Sequence, residues 1–349
     1  MTELIRSFPL VGNFAIFVIA AGCLWIVGTQ LIRLSDELSD RFKLAKSIVG
    51  LVFLATTTSL PEIATTFSGA RLGNAPLVLN NLFGGILLQT AILAVADLWT
   101  RGAISNYPRR ATHALEATLL VVLLSGVMAI VILDEPYSFG ALGYGSIVVG
   151  FLYGFSVWLL RKYDINNDWV PVDLPEPSAV ISHDRTIYSE QPSSAVRLLL
   201  RAGLMATLVF ILGYVLVIVA ESLADQTGMG SSFIGVTLLA TATSLPELAT
   251  TIAAVRAGAF TLAISNVFGS NLIMLGLVLP ADVLYSPGPI LRSTTDSVLL
   301  ALAMGVLVTA IYLVGLIVRR KPRLGSLGAD SVLVLFAYFL GLYLFYLVK

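Results

Sequence analysis

The sequence is poor in charge, in cysteine and in histidine. Only 12% of its 349 residues are charged, whereas 57% are apolar; soluble proteins carry about 25% charged residues. Acidic and basic residues balance at 21 each, so no net field attracts nucleic acid. One cysteine and two histidines exclude a disulfide framework and a Cys/His zinc site. Such a chain is neither disordered nor an ordinary soluble domain.

Long apolar runs take up most of the chain instead. A helix that crosses a bilayer needs about 20 predominantly apolar residues. Ten segments meet this requirement, at roughly 11–33, 45–69, 75–98, 112–133, 140–161, 196–221, 232–256, 259–284, 295–318 and 331–348. The sequence therefore predicts an all-α multi-pass membrane protein with ten transmembrane helices.

Basic residues concentrate in alternate loops between these runs. With the N-terminus outside, about 17 of the 21 Lys and Arg residues fall in inside loops. This bias predicts a cell-membrane protein (plasma or inner membrane) with both termini outside. The longest polar stretch, 162–195, is predicted to be a cytoplasmic linker between a first half, 1–161, and a second half, 196–349.

An internal repeat without gaps relates two segments that lie 185 residues apart. Residues 50–97 and 235–282 share about 21 identities in 48 aligned positions. Polar residues match in register: Ser59/Ser244, Pro61/Pro246, Glu62/Glu247, Arg71/Arg256, Asn81/Asn266 and Asp97/Asp282. Five predicted spans, an odd number, separate the copies, so the second copy is expected to lie upside down relative to the first. Inverted repeats are typical of secondary transporters.

One helix face in each copy carries the oxygen-bearing residues. The positions i, i+3, i+4 and i+7 hold Ala55, Thr58, Ser59 and Glu62 in the first copy and Ala240, Thr243, Ser244 and Glu247 in the second. Pro61 and Pro246 are expected to kink these helices and to leave backbone carbonyls in the preceding turn without partners. Carboxylate, hydroxyl and carbonyl oxygens bind Ca²⁺ and, by the same hardness, Na⁺.

The two glutamates need a counter-charge. A charged glutamate at the centre of a bilayer is costly, and neither helix core contains Lys or Arg. Either one glutamate is protonated or a cation lies between Glu62 and Glu247. One divalent ion, two monovalent ions or two protons would balance both charges. The alternative for the Ser and Thr residues is that they only hold helices together.

A second motif, Asn-x-Phe-Gly, follows in each copy. Asn81 and Asn266 offer amide oxygens to an ion, although they would also serve to cap or cross-link helices. Ser270 adds a hydroxyl in the second copy only, because the first copy has Gly85 at the matching position.

Other residues of the repeats have expected structural roles. Gly84 and Gly269 are expected to let helices approach closely. Asp97 and Asp282 lie near helix ends, where solvated or capping roles are expected, and Glu135 is expected to be solvated in a loop.

These motifs resemble those of the calcium/cation antiporter superfamily, the sodium/calcium exchanger type in particular. They read TTSLPE (57–62) with NNLFGG (80–85), and ATSLPE (242–247) with SNVFGSN (265–271). The resemblance implies two inverted alpha-repeats, about 50–97 and 235–282, and coordination of calcium and sodium by Glu62 and Glu247. It also implies oxygen ligands from Thr58 and Thr243, and flanking sodium sites that use Ser59, Ser244, Ser270 and the carbonyls of Ala55 and Ala240.

The chain departs from the family pattern at several pocket positions. Gly85 and Ile86 replace a Ser-Asn pair, and Gln89 and Met274 stand where the family commonly has a further Asn or Asp ligand. The pocket is therefore less negative, which keeps proton coupling or another cation open.

The sequence thus predicts an antiporter that exchanges Ca²⁺ for Na⁺ by alternating access. A proton-coupled exchanger is the alternative, followed by a passive cation channel or uniporter and by a non-transporting membrane scaffold. No nucleophile–base pair suggests an enzyme, and no cofactor or nucleic-acid partner is expected. The expected partners are the transported ions and the lipid bilayer, and the sequence does not indicate an oligomeric state.

Overall fold

The computed structural model describes residues 5, 7–42, 56–100, 102–107, 111–165, 195–318, 323–324 and 327–348. Within these residues the chain is almost entirely helical. Part of the predicted span 45–69, including Ala55, and most of the predicted linker 162–195 lie outside them. The division into two halves and a linker therefore stays a prediction.

The described residues of the first part form six helices: α1 (Leu10–Arg41), α2 (Leu60–Arg71), α3 (Ala75–Ala96), α4 (Thr112–Ile132), α5 (Tyr144–Ile165) and α6 (Ala195–Thr227). Short 3₁₀ turns follow α3, at Asp97–Trp99 and Ile104–Asn106. Strands β1 (Ser138–Phe139) and β2 (Leu142–Gly143) form an antiparallel hairpin before α5, with Ser138 opposite Gly143.

The second part begins with a broken span. Its pieces are α7 (Gly230–Ile234), a π-helical turn (Gly235–Leu239), α8 (Ala240–Thr243) and α9 (Leu245–Arg256). The remaining helices are α10 (Phe260–Gly276), α11 (Val278–Leu284), α12 (Asp296–Ile317) and α13 (Ala329–Val348). Strands β3 (Arg323–Leu324) and β4 (Leu327–Gly328) form a second antiparallel hairpin, with Arg323 opposite Gly328.

The helices are long enough to cross a bilayer. Eight described helices qualify by length and hydropathy, and the bent pair Gly230–Thr243 and Leu245–Arg256 raises the number to nine within the described residues. The chain is therefore a multi-pass helical membrane protein. Nine predicted segments coincide with these spans, and 45–69 is described only from residue 56 onward.

Three predicted spans differ from the helices by about one to two turns at an edge: α1 and α6 at their ends, and α5 at both ends. Helix α1 continues to Arg41 instead of ending near residue 33, because the polar segment 33–41 contains no helix breaker. Helix α5 begins at Tyr144 instead of residue 140, because residues 138–143 form the first hairpin.

Helix α3 lies at the centre of the bundle. In the most apolar 18-residue stretch of α3, 78% of the residues are buried, compared with 28% in α1 and 22% in α5. It packs against α12, α10, α13 and the π-helical turn. A helix that is apolar all round is suited to this position, whereas α1 and α5 present apolar surface outward, as helices that face lipid do.

Each SLPE motif breaks its helix at the serine. Ser59 (φ −87°, ψ 15°) precedes α2 and Ser244 (φ −86°, ψ 5°) precedes α9. Pro61 and Pro246 then occupy the first turn of the new helix, where a missing N–H is harmless. The expected kink is therefore a break two residues before the proline, and it bends the second copy by 49°.

The two motif glycines differ in their surroundings. A Cβ atom at Gly84 would lie 2.8 Å from the Cα atom of Val236 in the π-helical turn, so α3 approaches the broken span as expected. A Cβ atom at Gly269 would meet nothing within 4 Å among the described residues. The close approach is thus found at Gly84 and not at Gly269.

This difference predicts unequal effects of one added methyl group. Gly84→Ala is expected to destabilise the protein by about 1–3 kcal/mol, because overpacking forces the Val236 backbone to shift. Gly269→Ala is the matched control and should melt close to wild type. Thermal unfolding in detergent checks the pair, and equal melting temperatures would contradict the packing argument.

The aspartates at the ends of the repeats are buried, so of the two expected roles the solvated one is wrong, and the side chains bond backbone N–H groups as capping residues do. Asp97 is 1% exposed and accepts hydrogen bonds from the backbone N–H groups of Ile104 (2.7 Å) and Gly328 (3.0 Å). Asp282, also 1% exposed, accepts from Ile290 (2.6 Å) and Gly143 (2.8 Å). Each carboxylate therefore ties a helix end to a distant hairpin. The two aspartates and the two hairpin glycines are each 185 residues apart, as in the repeat, whereas the other two donors, Ile104 and Ile290, are 186 residues apart.

Glu135 is buried as well, contrary to the expectation. It is 2% exposed, and its Oε1 accepts from the backbone N–H groups of Gly145 (2.8 Å) and Ser146 (3.3 Å). Burial raises the pKa of its carboxyl, and the nearby charge of Asp282 raises that pKa further.

The raised pKa predicts a pH-dependent mutational effect. Folded Glu135 holds its proton to a higher pH than the unfolded chain does, so ionisation removes stability as the pH rises. Glu135→Gln should therefore raise the melting temperature at pH 7–8, with a smaller gain near pH 4. Asp225→Asn, at an exposed acid, should show no such trend. A gain for Glu135→Gln that is independent of pH would contradict this account.

Candidate cation-binding site

Two buried carboxylates lie at the centre of the candidate site. Glu62 is in the first turn of α2 and Glu247 in the first turn of α9, and both are 0% exposed. The helix N-termini point positive backbone dipoles toward these side chains. The amide nitrogen of Gln89 lies 3.5 Å from Glu62 Oε1 and 3.4 Å from Ser244 Oγ, so the structure brings the first turn of α2 close to the start of α9, which carries Glu247.

The carboxylates have few hydrogen-bond donors. Within the described residues, Glu62 Oε2 and both carboxylate oxygens of Glu247 have no hydrogen-bond partner. Glu62 Oε1 accepts one long hydrogen bond, from Gln89 Nε2 at 3.5 Å. Buried oxygens without donors are costly unless a ligand meets them.

Gln89 on α3 connects the two SLPE motifs. Its Nε2 also donates to Ser244 Oγ at 3.4 Å, and the side chain is 0% exposed. The sequence marks position 89 only as a departure from the family pattern. A sequence pattern within one helix cannot predict this contact, because it joins residues of three separate helices.

A second contact joins the two repeats on the other side of the site. Ser59 Oγ and Ser270 Oγ lie 3.0 Å apart, and both side chains are buried. The equivalent pair, with the two repeats exchanged, is Ser244 and Gly85, and Gly85 has no hydroxyl. The second copy therefore supplies a hydroxyl that the first copy lacks.

The two motif asparagines cross-link helices. Asn81 Nδ2 donates to Thr65 Oγ1 (3.2 Å), and Asn266 Nδ2 donates to Thr250 Oγ1 (3.3 Å). Both threonine hydroxyls donate to a carbonyl of their own helix, that of Pro61 and that of Pro246 respectively, each at 3.0 Å. The structural alternative for the asparagines is thus realised, while the buried Oδ1 of Asn81 has no partner in the described part of the chain.

The threonine one residue before each serine is also buried. Thr58 is 7% exposed and Thr243 is 0% exposed. Thr243 Oγ1 donates to the carbonyl of Ala240 (3.3 Å), which also accepts from the backbone N–H of Ser244 (3.1 Å). The Ala240 carbonyl is therefore occupied within its own helix in this conformation, and its counterpart Ala55 lies outside the described residues.

Further buried oxygens belong to residues that the sequence does not single out as ligands. They lack hydrogen-bond partners within the described ranges and belong to Thr66, Thr251, Gln89 and Asn271. Thr66 extends the helix stripe of the first copy by a turn, and Thr251 is its equivalent in the second copy. Asn271 follows Ser270 in the second motif, whereas Gln89 comes from α3 and is not revealed by the pattern of a single helix.

This chemistry suits a hard cation. The polar atoms near the two glutamates are carboxylate, hydroxyl, amide and carbonyl oxygens, which Ca²⁺ and Na⁺ prefer. The described chain contains no group of three or more His, Cys, Asp or Glu side chains suited to a metal ion. Any ion would therefore be held by two carboxylates together with neutral oxygens.

The unpartnered carboxylates predict opposite effects of one substitution. In cation-free buffer Glu247→Gln should raise the melting temperature, because it removes a buried carboxyl that must either ionise beside Glu62 or stay protonated. With Ca²⁺ present, wild type should be stabilised by about 2.7 kcal/mol at about 100 times Kd, and the variant far less. Thermal unfolding with and without Ca²⁺ measures both effects.

The control for this experiment is Glu37→Gln, which removes an exposed acid near the end of α1. It should keep the full Ca²⁺-induced shift. An equal Ca²⁺-induced shift in Glu247→Gln and in wild type would show that Glu247 does not meet the ion.

Comparison with known proteins places this geometry in a family context. The family model described as sodium/calcium exchanger protein matches residues 12–162 and 198–347. Inner membrane protein YrbG of Escherichia coli (strain K12) is 27% identical over 331 residues, which cover 88% of this chain and 92% of that protein.

Solved structures share the fold. Native YfkE aligns with a TM-score of 0.65 at 14% identity, covering 99% of this chain and 100% of that one; a selenium-substituted form, named a Ca²⁺/H⁺ antiporter protein, has a TM-score of 0.56. The sodium-calcium exchanger NCX_Mj, soaked with Na⁺ and Sr²⁺, aligns with a TM-score of 0.55 at 17% identity, covering 96% and 99% of the two chains.

Proposed function

The chain belongs to the sodium/calcium exchanger protein family, and we propose that it is a secondary active antiporter that exchanges Ca²⁺ for Na⁺ by alternating access. The observation that carries the proposal is the pair of fully buried carboxylates, Glu62 and Glu247, with three of their four oxygens lacking a donor in the described chain. A charged pair of this kind in a membrane protein marks an ion pathway.

Electrostatics explains why such a site exchanges ions instead of only binding them. Two unpaired carboxylates inside a bundle repel each other and lose hydration, so the empty closed site is unfavourable. One Ca²⁺ or two monovalent cations would neutralise the pair. Both cargoes need the same two charges, so they compete, and the protein closes around one or the other.

The proposed ligands divide by strength. Glu62 and Glu247 are the charged ligands. Neutral oxygens around them would complete the Ca²⁺ and Na⁺ positions, and they belong to Thr58, Thr243, Ser59, Ser244, Ser270, Asn81, Asn266 and the carbonyls of Ala55 and Ala240. The 3.0 Å contact between Ser59 and Ser270 supports a shared position between the repeats. The Ala240 carbonyl would have to release its present partners to bind an ion.

We further propose ten spans arranged as two inverted five-helix halves. Two equivalent contacts support a two-fold relation between the halves. Asp97 of the first repeat accepts a hydrogen bond from Gly328, and Asp282 of the second repeat accepts one from Gly143, as expected for an isologous pair. The odd number of spans predicted from the sequence favours an axis in the membrane plane. Both termini would then lie outside the cell membrane, as the positive-inside bias predicts.

The described conformation supports alternating access. Both carboxylates are 0% exposed, so the site is closed to solvent on both sides. The breaks at Ser59 and Ser244 provide hinges beside the ligands. A closed state with hinges at the site is what an exchanger passes through between its two open states.

A specific observation favours protons as the second candidate for the counter-ion. Met274 places a thioether where the resemblance leads us to expect Asn or Asp, which removes an oxygen ligand for sodium, and Gln89 adds no charge. YfkE, which shares the fold, is named a Ca²⁺/H⁺ antiporter. The same two glutamates would then carry the protons.

The test is Ca²⁺ flux in proteoliposomes with Na⁺ and pH gradients imposed separately. We expect uptake only when a counter-ion gradient is present, and its identity names the counter-ion. Glu62→Gln and Glu247→Gln should each reduce flux at least about tenfold, which corresponds to a loss of about 1.4 kcal/mol or more, whereas Glu37→Gln should not.

Three outcomes would overturn the proposal. Ca²⁺ flux down its own gradient without a counter-ion would indicate a channel or uniporter. Unchanged flux in both glutamate variants would indicate that the pair does not bind the transported ion, and absence of any flux would favour a non-transporting scaffold.

A further inference from the structure

The number of negative charges available at the site is two. Segments 50–97 and 235–282 contain four acidic residues. Asp97 and Asp282 are engaged by backbone N–H groups at the helix ends, where each carboxylate accepts at least two hydrogen bonds. Only Glu62 and Glu247 are left to neutralise ions at the breaks.

Two neutral side chains occupy equivalent positions of the two repeats, one beside Glu62 and the other over Gly85. Gln89 contacts Glu62 and Ser244 with its amide nitrogen. Met274, its counterpart in the second repeat, is 0% exposed and covers Gly85, where an added Cβ atom would lie 2.9 Å from the methionine Cε. Neither side chain carries a charge, and the described chain holds no third His, Cys, Asp or Glu to complete a metal group.

A closed site inside a bundle must be close to neutral. A net charge in a low-dielectric interior is costly, and no solvent reaches these carboxylates. One divalent cation or two monovalent cations cancel two carboxylates. A third monovalent cation would leave one uncompensated positive charge in the closed state.

We propose that Gln89 and Met274 hold the site at two negative charges and thereby make the exchange electroneutral, with two monovalent cations moved for each divalent cation. This inference rests on the proposed exchange and adds its stoichiometry and the residues that determine it. It does not depend on which monovalent cation is used.

The direct test uses the wild-type protein in proteoliposomes. Ca²⁺ is allowed to equilibrate against a fixed counter-ion gradient, while a K⁺ gradient with valinomycin imposes about 100 mV of either sign. We expect the equilibrium Ca²⁺ ratio to change less than about twofold. An exchange that moves one net charge would shift the ratio about 50-fold per 100 mV, and that result would overturn the inference. The equilibrium ratio is the readout because a single charged step affects rates without making the cycle electrogenic.

The two proposals fail in different ways. Coupled exchange that responds to voltage leaves the antiporter intact and removes electroneutrality. Absence of coupled Ca²⁺ movement under any gradient removes the antiporter and the stoichiometry together.

Charge-adding variants test the assignment to Gln89 and Met274. Gln89→Glu and Met274→Asp lie on different helices and each add a third carboxylate, so with Na⁺ as counter-ion at alkaline pH the equilibrium should become voltage-dependent. Gln89→Met and Met274→Leu are the matched neutral variants and should stay voltage-independent at whatever rate they transport.

Only variants that are monodisperse in detergent are used, because these are folded. One folded acidic variant is enough to compare with its neutral counterpart. An acidic variant that exchanges ions without voltage dependence would show that these positions do not set the charge count. Equal voltage dependence in acidic and neutral variants would show the same.

Discussion

Glu62 and Glu247 cannot both be ionised inside a helical bundle without a cation between them, and the remaining architecture has to hold the pair there. At 4 Å two unit charges interact by about 1 kcal/mol in water but by about 4 kcal/mol at an effective dielectric constant of 20. Neither helix core supplies a basic residue, so the opposing forces come from apolar packing around α3 and from the helix N-termini that face the carboxylates. Packing therefore fixes where the charges meet, and a bound cation supplies the attraction that the protein itself lacks.

The two repeats support each other by reciprocal contacts at the helix ends and differ at the site. The carboxylates of Asp97 and Asp282 bond hairpins 231 and 139 residues away along the chain. At the centre the correspondence stops: Ser270 has no hydroxyl counterpart at Gly85, and Gln89 has no amide counterpart at Met274. The repeats are nearly symmetric at their helix ends but differ in the side chains at the site. One ion position can therefore be shared between the repeats, while the ion positions on either side of it differ.

Much of this was predictable because its signals are local or repeated. The break before Pro61 and Pro246 follows from the missing N–H of proline, and polar residues that match in register over 48 positions show that the two copies share one structure. The hairpins at 138–143 and 323–328 were not predictable in the same way. Each has only two paired residues per strand, and a carboxylate from elsewhere in the chain accepts a hydrogen bond from its last residue.

Side-chain partners were harder to predict than side-chain positions. The sequence predicts that Asn81 offers an amide oxygen or cross-links helices, but whether its oxygen or its nitrogen faces the site depends on Thr65, whose hydroxyl hydrogen is already donated to the carbonyl of Pro61. That hydroxyl can then only accept from Asn81, which leaves the amide oxygen without a partner in the described chain. The orientation follows from this short hydrogen-bond chain, which a helical periodicity cannot show.

The cost of two unneutralised carboxylates also explains why the movement of one ion would be tightly coupled to the movement of the other. An exchanger leaks if its empty site closes as readily as its loaded site. Gln89 is the one side chain seen to donate to either carboxylate in the described part of the chain, and its amide lies 3.5 Å from Glu62, at the limit of a hydrogen bond. A partial charge at that distance eases the repulsion only slightly, whereas a cation between the carboxylates cancels it. The loaded site is therefore favoured in the closed state, and this difference obliges one ion to be exchanged for another.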